Sequence, residues 1–339
     1  MRILIFHPHL DIKGGSERLT KVFAEEAKRL GHDVKILTFV ADKEWFPDAD
    51  IIKQDELRKK AELFNADLTL LTIPESMYVK SLKGRGKLVM YVHFPVEEEV
   101  DEYNFDDYKK RGRALYVSLD DLKDVDLLLT NSKRSALAIR NVWGIEPKVV
   151  HPPLDKRFID TKNREDIPEN KILYIARFTP LKRQDFLVLA LKIIREHIKD
   201  AELILAGFRD YRHENYFKHV KSISDNNVKI IESPTDNEIM RLYNEAKVYA
   251  HPRIGEHFGI SPCEAMALGV PVVIRAPTGL SEITDKFIEV SDWSFIERLK
   301  QVLLMDKEWL NVSREVKNKV KICYPEEFTK RIIRFYEEL

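Results

Sequence analysis

Residues 2–40 read RILIFHPHLDIKGGSERLTKVFAEEAKRLGHDVKILTFV, and the apolar spacing changes twice along them. Residues 2–7 (RILIFH) are a continuous apolar run, as expected of a strand covered on both faces. From 16 to 30 the apolar residues Leu19, Val22, Phe23, Ala27 and Leu30 recur at helical spacing, giving one apolar helix face. Gly31 ends that helix, and 33–40 (DVKILTFV) return to a strand.

The same alternation extends along the chain. Strands are expected at 66–73 (ADLTLLTI), 87–92 (KLVMYV) and 125–131 (VDLLLTN), with a helix at 132–144. Apolar strands separated by helices predict a parallel sheet covered on both faces. A polar segment with three prolines, 151–171, then breaks the pattern, as a linker does. It restarts with strands at 171–176, 201–207, 227–231, 247–252 and 271–275, and helices at 184–198 and 236–246. A helical tail follows from 313, interrupted before Pro325. At 339 residues the chain exceeds one comfortable core. The expected fold class is α/β, two doubly wound domains in tandem with a cleft between them. Such sheets bind ligands beyond the carboxyl ends of their strands, so residues that follow strands are the candidates.

Lys plus Arg and Asp plus Glu number 56 each, a net charge of zero, which removes any global attraction for nucleic acid. Cys263 and Cys323 lie outside any CxxC pair and predict free thiols in a reducing compartment. No apolar run approaches the roughly 18 residues of a membrane span, and the first residues lack signal-peptide anatomy. A cytoplasmic protein is expected. Basic loops at 80–87 (KSLKGRGK) and 108–113 (YKKRGR) suit peripheral contact with an anionic membrane face. The acidic run 97–107 between them argues the other way.

Gly14 and Gly15 lie between the first strand and its helix, where small residues let backbone N–H groups approach an anion. The plainer alternative is a turn with Ser16 as N-cap. Their spacing is not GxGxxG, which disfavours a nicotinamide dehydrogenase. His93 directly follows the strand 87–92, placed either to hydrogen-bond a hydroxyl or phosphate or to be satisfied by backbone. His7 and His9 have no carboxylate or cysteine at ligand spacing, so no metal is expected. Arg177 and Lys182 follow the strand 171–176. They are either solvated cations or a pair converging on one diphosphate, Arg with forked donors and Lys with a point charge.

In residues 255–273, GEHFGISPCEAMALGVPVV, Ser261, Pro262 and Glu264 fit N-cap, N1 and N3 of a capping box. That explains Glu264 without a ligand. Glu256 precedes the helix, and capping leaves it unexplained. Cys263 and Met266 read as core.

This stretch resembles the signature of glycosyltransferase family 4, retaining enzymes of the GT-B fold: two glutamates separated by seven residues, FG after the first and EAM…G.PV after the second. GGSER (14–18), ARFTPLK (176–182) and 130–155 are similar to further segments of that family, in the same order. YVHFP (91–95) with VVHPPLD (149–155) is similar to the mannosyltransferases that build a lipid-linked oligosaccharide. The resemblance implies an acceptor-binding Rossmann-like domain over 1–152 and a nucleotide-sugar-binding one over 153–322. A C-terminal helix, 323–339, would return to the first domain. It further implies a nucleotide-diphospho-sugar donor, GDP-mannose or a UDP-sugar, and a glycan or lipid-linked glycan acceptor, with no cofactor. Arg177 and Lys182 would neutralise the diphosphate, Glu264 would accept from ribose hydroxyls and Glu256 from sugar hydroxyls. Amides around Gly259, Ile260 and Ser261 would face sugar and phosphate. Gly14 and Gly15 would approach the donor from the first domain, and His93 would hydrogen-bond the sugar near the reacting centre. The chain departs from the family pattern at Thr278, where a glycine is usual, which weakens an assignment of Glu282, and at Arg183 beside Lys182. An epimerase or hydrolase of the same fold is the alternative expectation.

Overall fold

The computed structural model describes residues 1–11, 14–84, 86–100, 105–111 and 117–339. The chain divides into two compact units, Met1–Asp155 with Cys323–Leu339, and Lys156–Ile322. In the first, β1 (Arg2–Phe6), β2 (Asp33–Thr38), β3 (Asp50–Ile51), β4 (Leu68–Leu71), β5 (Lys87–Val92), β6 (Leu127–Thr130) and β7 (Lys148–Val149) form a parallel sheet. Its order is β3-β2-β1-β4-β5-β6-β7. In the second, β8 (Lys171–Ile175), β9 (Glu202–Gly207), β10 (Val228–Glu232), β11 (Val248–His251), β12 (Val272–Arg275) and β13 (Ile288–Glu289) are likewise parallel. They run in the order β10-β9-β8-β11-β12-β13. Each sheet winds outward one way from its first strand and then the other way. The reversal falls between β1 and β4 and between β8 and β11, and such switch points hold the ligands of open α/β sheets. The fold is α/β with two doubly wound units.

Alternate side chains of a strand face opposite sides, and β1 obeys this. Ile3 and Ile5 join one cluster with Phe23 and Tyr91, while Leu4 and Phe6 join the other with Leu57 and Met90. Helix α1 (Gly15–Arg29) covers the first cluster with Leu19, Phe23, Ala24 and Ala27, and Val22 of the same helix is buried too. Leu30 departs from the expected face. It caps the helix at its carboxyl end and is 36% exposed, because the chain turns away there into Gly31. The C-terminal helix Pro325–Glu337 packs on the same cluster, with Phe328 edge-on to Phe23 at 5.9 Å and to Tyr91 at 5.8 Å. Pro325 in its first turn forfeits no intrahelical hydrogen bond.

Among the described residues no helix is long and apolar enough to cross a membrane. Of the charged loops, Arg85, residues 101–104, Gly112 and Arg113 lie outside the described residues. Lys83 Nζ donates to the Asp124 carbonyl at 2.7 Å, and Lys87 lies 3.4 Å from Asp126, so these two cations are tied to their own neighbours.

Candidate active site

Two loops leave the second sheet at its switch point. One follows β8 into helix α2 (Gln184–Arg195). Helix α3 (Asp236–Glu245) then leads to β11, and the second loop runs from there into helix α4 (Ile260–Ala267). Glu256 sits in this second loop, 8% exposed. Lys182 Nζ donates to its Oε2 at 2.9 Å and His251 Nε2 lies 3.1 Å from the same oxygen, while Arg253 is 3.5 Å from Oε1. Burial alone would raise this carboxyl. The charge of Lys182, the His251 hydrogen bond and the charge of Arg253 outweigh it and hold Glu256 well below the carboxylate range. Burial lowers His251, with the Glu256 hydrogen bond opposing that shift; an ionised carboxylate only accepts, so Nε2 carries the hydrogen in this contact. Burial also pulls the Lys182 ammonium down, with Glu256 opposing that shift.

The loop is pinned from behind. Gly279 N–H donates to the Glu256 carbonyl at 2.9 Å and Gly255 N–H to the Pro277 carbonyl at 3.0 Å. Thr278 has a local role of its own: its side chain accepts from Leu280 N–H and caps the turn Gly279–Glu282. Arg183 does too. It adopts a left-handed φ of 56° and forks onto Asp292 at 3.0 and 2.6 Å.

Arg177 and Lys182 are near enough for their charges to interact, yet each faces a different carboxylate. The Arg177 side chain is 61% exposed and lies 3.9 Å from Asp210. Arg212 grips that same carboxylate at 2.9 and 2.6 Å and holds it far below its ordinary value. Gln184 Nε2 donates to the Arg177 carbonyl at 2.8 Å and ties the loop to the start of α2.

Both helices that open on a glycine loop place their N-cap two residues before the expected serine. Helix α1 begins at Gly15 with Gly14 as N-cap, and α4 begins at Ile260 with Gly259 as N-cap; neither has a side-chain cap. Ser16 Oγ donates instead to Glu17 Oε2 at 2.9 Å, and Ser261 Oγ lies 2.8 Å from Tyr249 Oη. Pro262 is therefore the third helical residue and Glu264 the fifth, which overturns the capping-box reading of Glu264. Tyr243 Oη, from α3, donates toward Glu264 Oε2 and the Ser261 carbonyl, 3.0 Å from each. At α4 the glycine cap brings no side chain of its own to the first amides, which suits an anion; at α1 the Glu17 carboxylate already accepts from its own backbone N–H. At Gly259 no other residue serves: φ is +96°, and a Cβ would come within 3.0 Å of Leu280 Cδ1 and Pro262 Cγ.

Gly14, Gly15 and His93 belong to the first unit, the other predicted residues to the second. The His93 carbonyl accepts from Asn131 Nδ2 at 2.6 Å and Ser135 Oγ at 3.1 Å. Its ring Nε2 is buried with no partner among the described residues, and burial pushes it down to about 4. His7 is pushed to about 3 by burial and then by the nearby His93, while its Nδ1 accepts from His9 N–H at 3.2 Å. Beyond β4, Glu75 is raised by burial to about 7. Among the described residues no three His, Cys, Asp or Glu side chains gather as a metal site.

Residues 155–311 match the sequence profile of the family "Glycosyl transferases group 1". Over this stretch, just under half of the chain, the protein is similar to group 1 glycosyltransferases. The stretch holds Arg177, Lys182, His251, Glu256 and Glu264. An uncharacterized glycosyltransferase of Methanocaldococcus jannaschii is 29% identical over 181 residues, 46% of this chain and 45% of the relative. The GDP-Man:Man(3)GlcNAc(2)-PP-Dol alpha-1,2-mannosyltransferase of Dictyostelium discoideum is 21% identical over 310 residues, 76% of this chain and 60% of the relative. The chain thus spans about half the length of the relatives it matches. Among solved structures, HepE of Anabaena with UDP and glucose superposes with a TM-score of 0.79 at 16% identity, covering 100% of both chains. That likeness is one of fold, the GT-B architecture.

Four residues of the site carry no motif: His251, Arg253, Asp210 and Tyr243. His251 ends β11 and Arg253 follows it, and Asp210 lies just past β9. They share the after-strand placement that singles out Arg177. Tyr243 has no such signal; it reaches Glu264 only because α3 lies beside α4.

Proposed function

We propose that this protein is a retaining hexosyltransferase of glycosyltransferase family 4. In this reading it moves a hexose, mannose favoured, from a nucleotide-diphospho-sugar to a glycan or lipid-linked glycan at the cytoplasmic side. The observation that carries the reading is the Lys182–Glu256–His251 cluster beside Arg177, at the switch point of a unit similar to group 1 glycosyltransferases. Lys182 and Arg177 neutralise the charge that grows on the diphosphate as it leaves, without a divalent cation. An ammonium has three donors, so Lys182 can face a phosphate and keep Glu256. Glu256 accepts from hydroxyls of the donor sugar, Glu264 from the ribose, and the amides of Ile260 and Ser261 meet the anion. The acceptor oxygen bonds to the anomeric carbon on the face from which the diphosphate departs. The C–O bond to phosphate breaks, and the acceptor proton passes to a phosphate oxygen. Glu256, committed to two cations and an imidazole, is a poor nucleophile; trapping a glycosyl adduct on it would overturn this route. The first unit takes the acceptor.

The mannosyl relative's name specifies GDP-mannose and the HepE structure holds UDP, so the donor is put to a direct test. Thermal shifts with GDP-, UDP- and ADP-sugars, with and without chelator, should single out one base. A donor at one hundred times its Kd stabilises by about 2.7 kcal/mol. No shift with any donor, or a shift lost with chelator, counts against the reading. Glu264→Gln should lower stability by about 1–2 kcal/mol through the weakened Tyr243 bond and shrink the donor-induced shift. An unchanged donor shift would leave Glu264 as an anchor for Tyr243 only.

A further inference from the structure

Among the described residues the Glu256 carboxylate has three partners, and Lys182 is the one that a donor diphosphate would compete for. The other two come from the stretch at the end of β11. His251 is 1% exposed and lies among aromatic rings, at 5.8 Å edge-on to Tyr174 and 6.5 Å nearly parallel to Tyr249. That packing holds the imidazole rigidly, with Nε2 3.1 Å from Glu256 Oε2. Nδ1 is buried and has no partner among the described residues, so the Glu256 contact is the ring's one hydrogen bond there. An imidazole buried solely for packing would be matched by a phenyl ring, which carries no nitrogen to desolvate. We propose that His251 is a positioning residue: it holds the Glu256 carboxylate in place through Nε2–H, so that Glu256 keeps its aim when Lys182 turns to the donor diphosphate. The inference rests on the transferase reading above.

The test pairs a variant that keeps the ring with one that keeps the donor. His251→Phe retains the aromatic packing without an N–H. His251→Gln places an amide N–H near the position of Nε2. Because a hydrogen bond to a charged group carries about 1.5–3 kcal/mol, His251→Phe should lower kcat roughly tenfold to a hundredfold, with the donor KM changed less than about threefold. His251→Gln should recover most of that loss. In a Glu256→Gln background His251→Phe should add little, since residues that act through one another are non-additive. An equal loss in both backgrounds, or an unchanged kcat in His251→Phe, overturns the proposal. A ¹⁵N NMR measurement of the wild-type ring is independent of turnover. It should show a neutral Nε2–H tautomer, and an Nδ1–H tautomer overturns the proposal. If the wild type turns over no donor while that tautomer is found, the transferase reading falls and the hold on Glu256 stands.

Discussion

Lys182→Ala should remove most of the turnover while leaving a folded protein. Lost electrostatic stabilisation of developing charge in a water-poor site costs about 2.7–4 kcal/mol, or 10²–10³ in kcat. Lys182 is the best-placed source of it, because its ammonium is largely buried and touches a buried carboxylate at 2.9 Å. Its removal leaves Glu256 with His251 and Arg253 only, so stability falls as well. About 1–3 kcal/mol is expected, the range for a buried group that loses one partner. Circular dichroism and steady-state kinetics separate the two effects. The diphosphate role has a readout of its own: wild type should be stabilised more by the nucleoside diphosphate than by the monophosphate, and the variant should lose that difference. Wild-type turnover in Lys182→Ala would sink the assignment. Arg177, 61% exposed, is expected to matter less.

Glu256→Ala should be the more damaging change to the fold. It strands Lys182 and Arg253 beside one another without the carboxylate that lies 2.9 Å from the first and 3.5 Å from the second. Removing one partner of a buried ion pair costs about 3–5 kcal/mol. Glu256→Gln keeps the shape and loses the charge, so its stability loss should be smaller and its kcat still low. The pH dependence checks the charge. The folded-state carboxyl lies well below its ordinary value, against about 4.3 in an unfolded chain. Its stabilising contribution is therefore complete above that unfolded-chain value and is lost progressively as pH falls from there through the folded-state value. The stability gap between wild type and Glu256→Gln should be constant near neutrality and narrow below about pH 4. A gap that stays constant to pH 2 would mean Glu256 is not held as an anion. A second comparison asks what the anion is for. If Glu256 accepts from a donor hydroxyl, a donor deoxygenated there should lose rate in wild type and much less in Glu256→Gln. If the deoxy donor is equally slow in both, Glu256 serves only to hold Lys182.

The alternating apolar runs and helices of residues 2–40 and 171–275 determined both doubly wound units, because burial on two faces demands continuous apolar strands whatever the fold's details. Placement after a strand was enough to point to Arg177, Lys182 and His93. Local rules failed where two of them competed. Ser16 and Ser261 each satisfy the N-cap preference, yet Gly14 and Gly259 take the position. Capping chemistry is worth only about 1 kcal/mol, and at α4 the hydrogen bond of Ser261 to Tyr249 competes with it.

By itself, then, the sequence determined the α/β units, the order of their strands in the chain and which loops could carry chemistry. It left Glu256 without a partner. Only the tertiary structure decided that Lys182, His251 and Arg253 converge on it, and that Tyr243 rather than a helix cap engages Glu264. Those contacts join residues as far as 74 positions apart. The order β10-β9-β8-β11 sets the ends of β8 and β11 side by side, and no spacing along the chain records that adjacency.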